Sequence, residues 1–82
     1  MKIQVIFYGG LKQDVGTKQQ TFEFPGDGLT VGGLVEALKA QYPALAVRLD
    51  TIAYAVNDEI VELNTVLRDG DQAGLLPPVS GG

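Results

Sequence analysis

The 82-residue chain contains no cysteine and no histidine. Without cysteine there is no disulfide, no thiolate nucleophile and no Cys-ligated zinc or iron–sulfur cluster. Without histidine, the commonest acid–base group near neutral pH and the commonest metal ligand are both missing. Any metal would have to be held by oxygen alone. The one dense carboxylate cluster, Asp58-Glu59 with Glu62, lacks the spaced ligands of a calcium loop, so no metal site is expected. The same two absences disfavour a self-contained enzyme.

Other absences narrow the class further. No run of about 18 apolar residues is present, so nothing is expected to span a membrane. The start, MKIQVIFYGG, lacks an extended apolar region and a small-residue cleavage site, and reads as a first strand instead of a signal peptide. A cytoplasmic protein is the expectation. Lysines and arginines form no cluster, and ten acidic against six basic residues leave a net charge of −4. Such a domain repels phosphate backbones, so nucleic acid is not an expected partner. A chain this short buries only about 60–65% of the surface its unfolded form exposes, which allows one small core and disfavours a deep substrate cleft.

What is present has a clear pattern. Residues 2–8 read as a strand with Ile3, Val5 and Phe7 on one face, and Lys2, Gln4, Ile6 and Tyr8 on the other. Gly9-Gly10 breaks it, and LKQDV, with Leu11 and Val15 four apart, suits one helical turn before Gly16. A second strand is read over 18–24, then a turn at Pro25-Gly26-Asp27-Gly28. Thr30 is an N-cap candidate. Val31, Leu34, Val35, Leu38 and Tyr42 form a helical stripe that Pro43 ends. Gly32 and Gly33 are poor helix formers, and close packing of this first turn on the sheet is the expected reason for them. A short turn over 44–49, strands over 52–56, 60–62 and 72–76, and Leu67 plugging the core from a loop complete the reading. The order β, β, α, β, β, β predicts an α+β fold of the β-grasp type: about five strands in a mixed sheet with one main helix across one face. Residues 1–76 form the domain and residues 77–82 an extended tail.

The tail is Leu76-Pro77-Pro78-Val79-Ser80-Gly81-Gly82. Two prolines lack backbone N–H groups and favour a stiff extended path, so the chain leaves the sheet there. Six residues beyond Leu76 at about 3.1–3.4 Å each reach roughly 19–20 Å, enough to enter another protein's pocket. No charged side chain follows Asp71, which leaves the terminal carboxylate as the expected lone charge of this stretch. Gly81 and Gly82 carry no Cβ, so they suit a narrow channel and leave the last carbonyl open to attack. These are the properties of a carboxylate that another enzyme activates.

With these residues in view, the chain resembles the MoaD-like small subunits of molybdopterin synthase, a branch of the MoaD/ThiS ubiquitin-like sulfur carriers. The resemblance rests on Val5–Tyr8 (VIFY), Leu29–Leu34 (LTVGGL), Ala55–Glu59 (AVNDE) and above all Leu67–Gly82 (LRDGDQAGLLPPVSGG). Gly9-Gly10 stands where the family often has Ala-Arg, and Gly33 where an acidic residue is common. The resemblance implies that a ubiquitin-activating-like adenylyltransferase uses ATP to adenylate the Gly82 carboxylate. A sulfur donor protein then turns the adenylate into a thiocarboxylate. The large synthase subunit takes up the tail, Pro77, Pro78, Val79, Ser80 and Gly81 threading its active site, and the sulfur adds to a cyclic pterin precursor. Two small and two large subunits would form a heterotetramer. This chain would bind no cofactor itself. In the family's fold the first and last strands are neighbours, which would set Ile6, Tyr8 and Leu76 side by side as a partner surface. Two alternatives stay open: a carrier for another sulfur pathway (thiolated tRNA, thiamin, cysteine) or a ubiquitin-like protein modifier, and a β-grasp binding module whose tail is inert.

Overall fold

The computed structural model describes residues 1–49 and 51–77. Its elements run β1 (Lys2–Phe7), α1 (Gly10–Val15), β2 (Gln19–Glu23), α2 (Val31–Gln41), a 3-10 turn (Pro43–Leu45), β3 (Ala53–Val56), β4 (Glu59–Val61) and β5 (Gln72–Leu76). The five strands form one sheet in the order β2-β1-β5-β3-β4. β1 runs parallel to β5 and antiparallel to β2, and β3 is antiparallel to both β4 and β5. This is the mixed β-grasp sheet that the order of elements predicts.

The period-2 alternation of β1 decides which face is covered. Ile3, Val5 and Phe7 are buried, and so are Ala73 and Leu75 of β5 beside them. Val31, Leu34, Val35 and Leu38 of α2 join this core, together with Leu11 of α1 and Leu67. A helix this short is held by its apolar stripe more than by intrinsic propensity. Tyr42, at the end of the stripe, is the C-cap residue and not the last helical one, and its ring meets Phe7 edge-on with centroids 6.1 Å apart. Pro43 follows and opens the 3-10 turn; Leu45 within it and Leu49 beyond it add buried side chains. Tyr54 Oη donates to the Leu49 carbonyl and ties this segment to β3.

The start of α2 corrects one expectation. An α-helix leaves its first four N–H groups without internal partners. Here Thr30 Oγ1 accepts from Gly33 N at 3.1 Å, and the Thr30 carbonyl accepts from Leu34 N. Val31 N donates to Thr65 O at 2.9 Å and Gly32 N to Leu63 O at 2.8 Å. The two glycines therefore face loops and not the sheet. A Cβ on Gly32 would lie 3.4 Å from the Leu63 carbonyl oxygen, and one on Gly33 would lie 2.8 Å from Leu29 Cδ1. Gly32 thus packs on the chain that leads from β4 towards β5, and Gly33 on Leu29 just before the helix. Leu67 N donates to Leu29 O at 2.7 Å, which fixes the same loop from the other side and seats Leu67 in the core.

Leu38 is fully buried at the centre of this packing. Leu38→Ala is expected to cost about 2–5 kcal/mol in urea unfolding, the range for a leucine truncated in a closed core. A loss near zero would contradict this helix register.

Candidate functional site

The uncovered face of the sheet is built by the residues out of phase with the core. Register places Ile6 beside Gly74, Gly74 beside Ala55 and Ala55 beside Ile60, one row across four strands. Tyr8 continues the outer side of β1, and its N–H donates to the Leu75 carbonyl at 3.3 Å. Leu76 pairs with Ala53 at the same end of the sheet. Tyr8 is 41% exposed and Ile60 66%, large fractions for such apolar side chains.

Small residues shape the middle of this face. A Cβ on Gly74 would stand 3.0 Å from Tyr8 Cε2, so the tyrosine ring leans over a position that has no side chain. With Ala55 next to it, the surface dips into a cavity of about 170 Å³ lined by Tyr8, Ala55, Asp58, Ile60, Gln72, Gly74 and Leu76. That is below the roughly 300–1,000 Å³ of a small-molecule site.

Of the surface residues expected from the sequence, Tyr8 and Leu76 share this cavity. Ile6 lies on the same face but lines the neighbouring depression, with Tyr8, Gly9, Lys12 and Lys18. Ala55, Ile60 and Gly74 were missed by sequence reasoning. The alternation of small Ala53 and Ala55 with Tyr54 and Val56 was the available signal for the first. Asn57 and Asp58 hold the far rim through positive φ values of 51° and 71°, and Asn57 Oδ1 accepts from Gln72 N at 3.0 Å.

The tail begins at the near rim. Leu76 ends β5, and Pro77 is half-buried with its ring against Gly9. Pro78, Val79, Ser80, Gly81 and Gly82 lie outside the described residues. Among the described residues no group of three or more acidic, Cys or His side chains is placed to hold a metal ion, and no helix is long and apolar enough to cross a membrane.

Comparison with known proteins fits this geometry. The model of the ThiS family matches residues 5–82. The chain belongs to the ThiS family. It is 36% identical to the molybdopterin synthase sulfur carrier subunit of Chlamydomonas reinhardtii, with all of both chains covered. Among solved structures, the complex of subunits 1 and 2 of the molybdopterin-converting factor from Helicobacter pylori contains a chain 32% identical, with a TM-score of 0.73 and all of both chains covered. The crystal structure of small archaeal modifier protein 1 from Haloferax volcanii superposes with a TM-score of 0.85 at 28% identity, covering 95% of this chain and 98% of that one.

Gly74→Ala tests how the cavity is made. The added methyl group meets only the end of the Tyr8 side chain, so the ring is expected to swing outward while stability changes by less than about 1 kcal/mol. The Tyr8 ring resonances report the movement, and unchanged resonances would show that Gly74 does not set the ring.

Proposed function

We propose that this chain is a sulfur carrier, the small subunit of a molybdopterin synthase, and that its reactive group is the Gly82 carboxylate. The observation that carries the reading is the exit of the last strand, Leu76 and Pro77, at the rim of an apolar face on a ThiS-family domain. Residues 77–82 then act as one unit, an extended arm on a β-grasp base.

A carboxylate is a poor electrophile because its leaving group would be oxide. A carboxylate oxygen of Gly82 attacks the α-phosphorus of ATP on the activating enzyme, and pyrophosphate leaves. A sulfide-level sulfur from the donor protein adds to the acyl carbon, and AMP departs with the C–O bond. The product is a thiocarboxylate, a soft nucleophile at the end of the arm. The large synthase subunit takes up the arm, and the sulfur passes to a cyclic pterin precursor. Water releases the carrier as the carboxylate. Two carriers supply the two dithiolene sulfurs, which suits a heterotetramer of two small and two large subunits. Adenylation is the partner's chemistry, so the absence of Cys and His from this chain is no obstacle. A cytoplasmic location belongs to the same proposal.

The likeness to small archaeal modifier protein 1 supports a second reading, in which Gly82 is joined to protein lysines by isopeptide bonds. Both readings share the activation step. Rescue of pterin synthesis in a reconstituted assay separates them from there.

Deleting Gly82 is expected to abolish activation while changing stability by less than about 0.5 kcal/mol, as for a surface change. The carboxylate retreats by about 3.3 Å, and a 1 Å misplacement at a reacting centre already costs about 100-fold. An added residue after Gly82 blocks activation too. Adenylate formation by the activating enzyme is the assay, and native rates for either variant would overturn the reading. Tyr8→Glu places a charge on the apolar rim, and is expected to weaken binding to the large subunit with little change in melting temperature. Unchanged affinity would remove Tyr8 from the interface.

A further inference from the structure

The outer face of the sheet carries charge as well as apolar side chains, and the two signs lie on opposite sides of Tyr8. Tyr8 lines two depressions. Towards β3 and β4 lies the cavity of about 170 Å³, where Asp58 is the charged lining residue. Towards β2 lies a second depression of about 280 Å³, where the charged lining residues are Lys12 and Lys18. Among the described residues no basic side chain lines the first and no acidic side chain the second.

Local structure places each charge. Gly16 ends α1 in the left-handed conformation, and its N–H donates to the Lys12 carbonyl at 2.9 Å. Beyond this turn the Lys18 carbonyl accepts from Phe7 N at 2.8 Å, which sets Lys18 at the end of the β1–β2 ladder. One chain reversal thus brings the two lysines to one depression. Lys2 and Arg48 each have a carboxylate within ion-pair reach, Glu23 and Asp14. Among the described residues Lys12 and Lys18 have none, although the chain is acidic overall. Asn57 and Asp58, both with positive φ, make the two-residue turn that joins β3 to β4. The Asn57 side chain accepts from Gln72 N and donates to Asp71 Oδ1, which ties this turn and its Asp58 to the start of β5. Asp58 has no ion-pair partner among the described residues either.

Lys18 leads into β2 and Asp58 follows β3. Three strand spacings, about 14 Å, lie between those strands. Charges of exposed side chains are screened over about 8 Å at physiological ionic strength. A partner on this face therefore meets two local poles and not the net charge of the chain. Apolar contact is non-directional, so the row of Ile6, Gly74, Ala55 and Ile60 does not by itself tell one end of a partner from the other. Two poles of opposite sign do, because a reversed partner sets like charges together.

We propose that this polarity orients the large synthase subunit on the outer face, with a partner carboxylate opposite Lys12 and Lys18 and a partner guanidinium or ammonium group opposite Asp58. This rests on the carrier reading above. The apolar centre supplies contact area, and the poles set which way round the carrier sits and how fast it finds that pose.

The test measures association of the full chain with the large synthase subunit of the same organism at low and high salt. One variant carries Lys12→Glu and Lys18→Glu, the other Asp58→Lys. The first makes the chain more negative and the second less negative. Both are expected to slow association about ten-fold at low salt, as for reversed rim charges. The difference is expected to shrink at about 1 M salt, where screening acts within about 3 Å. Lys39→Glu on α2 and Asp27→Lys in the turn after β2 change charge away from this face, and are expected to leave the rate within about two-fold of wild type. Lys12→Arg with Lys18→Arg keeps the pole and is expected to bind as wild type. Unchanged melting temperatures show that the variants are folded, since all three positions are exposed. Rates that move in opposite directions would mean that net charge alone acts, and would overturn the proposal. So would unchanged rates for both variants, or losses confined to adenylation by the activating enzyme. A wild-type chain that does not bind the large subunit would overturn the carrier reading itself, and the orienting role with it.

Discussion

The parallel pairing of β1 with β5 is the constraint on which the molecule depends. It joins the first strand of the chain to the last at the centre of the sheet, with Val5 beside Ala73 and Phe7 beside Leu75 on the buried side. The strand period makes this register unforgiving. A slip by one residue would turn Ile6 and Tyr8 into the core and Val5 and Phe7 out of it. Because burial fixes one face, the other is fixed with it: Ile6, Tyr8, Gly74 and Leu76 must share the uncovered side. The same pairing brings the turn after β1 to the end of β5, where the arm departs.

The chemistry follows from what this arrangement leaves out. The buried side chains are all apolar, and among the described residues there is no buried charged group to tune for acid–base work. The small residues Gly74 and Ala55 lower the middle of the outer face, and Tyr8 and Ile60 rise at its sides. The described residues form a closed core that presents an apolar dip beside the end of β5.

Much of this was legible because the signals were local. Thr30 before an apolar stripe marked the start of α2, and its hydroxyl does accept from Gly33 N. Gly16 marked the end of α1, where it adopts φ +82°. The alternation of β1 gave the core face, and Leu67 fell where expected. What was missed depends on contacts distant in sequence. Gly32 and Gly33 were read against the sheet, but the approach is to Leu63 and Leu29, which no helical pattern reveals. Leu45 and Leu49 sat in a segment read only as a turn. Ile60 joins the outer face only through the register of β3 with β4, and the Pro77 ring lies over Gly9 only because β1 and β5 are neighbours. Such pairings depend on tertiary packing and leave no periodicity behind.

The central claim is that the end of this chain carries sulfur, and intact mass spectrometry of the chain co-expressed with its native activating enzyme and sulfur donor tests it most directly. A mass raised by the replacement of one oxygen atom by one sulfur, localised to the C-terminal peptide, and absent when the activating enzyme is inactive, is the predicted result. An unmodified mass in the presence of both active partners, with the enzyme shown to load another carrier in the same cells, would contradict the account.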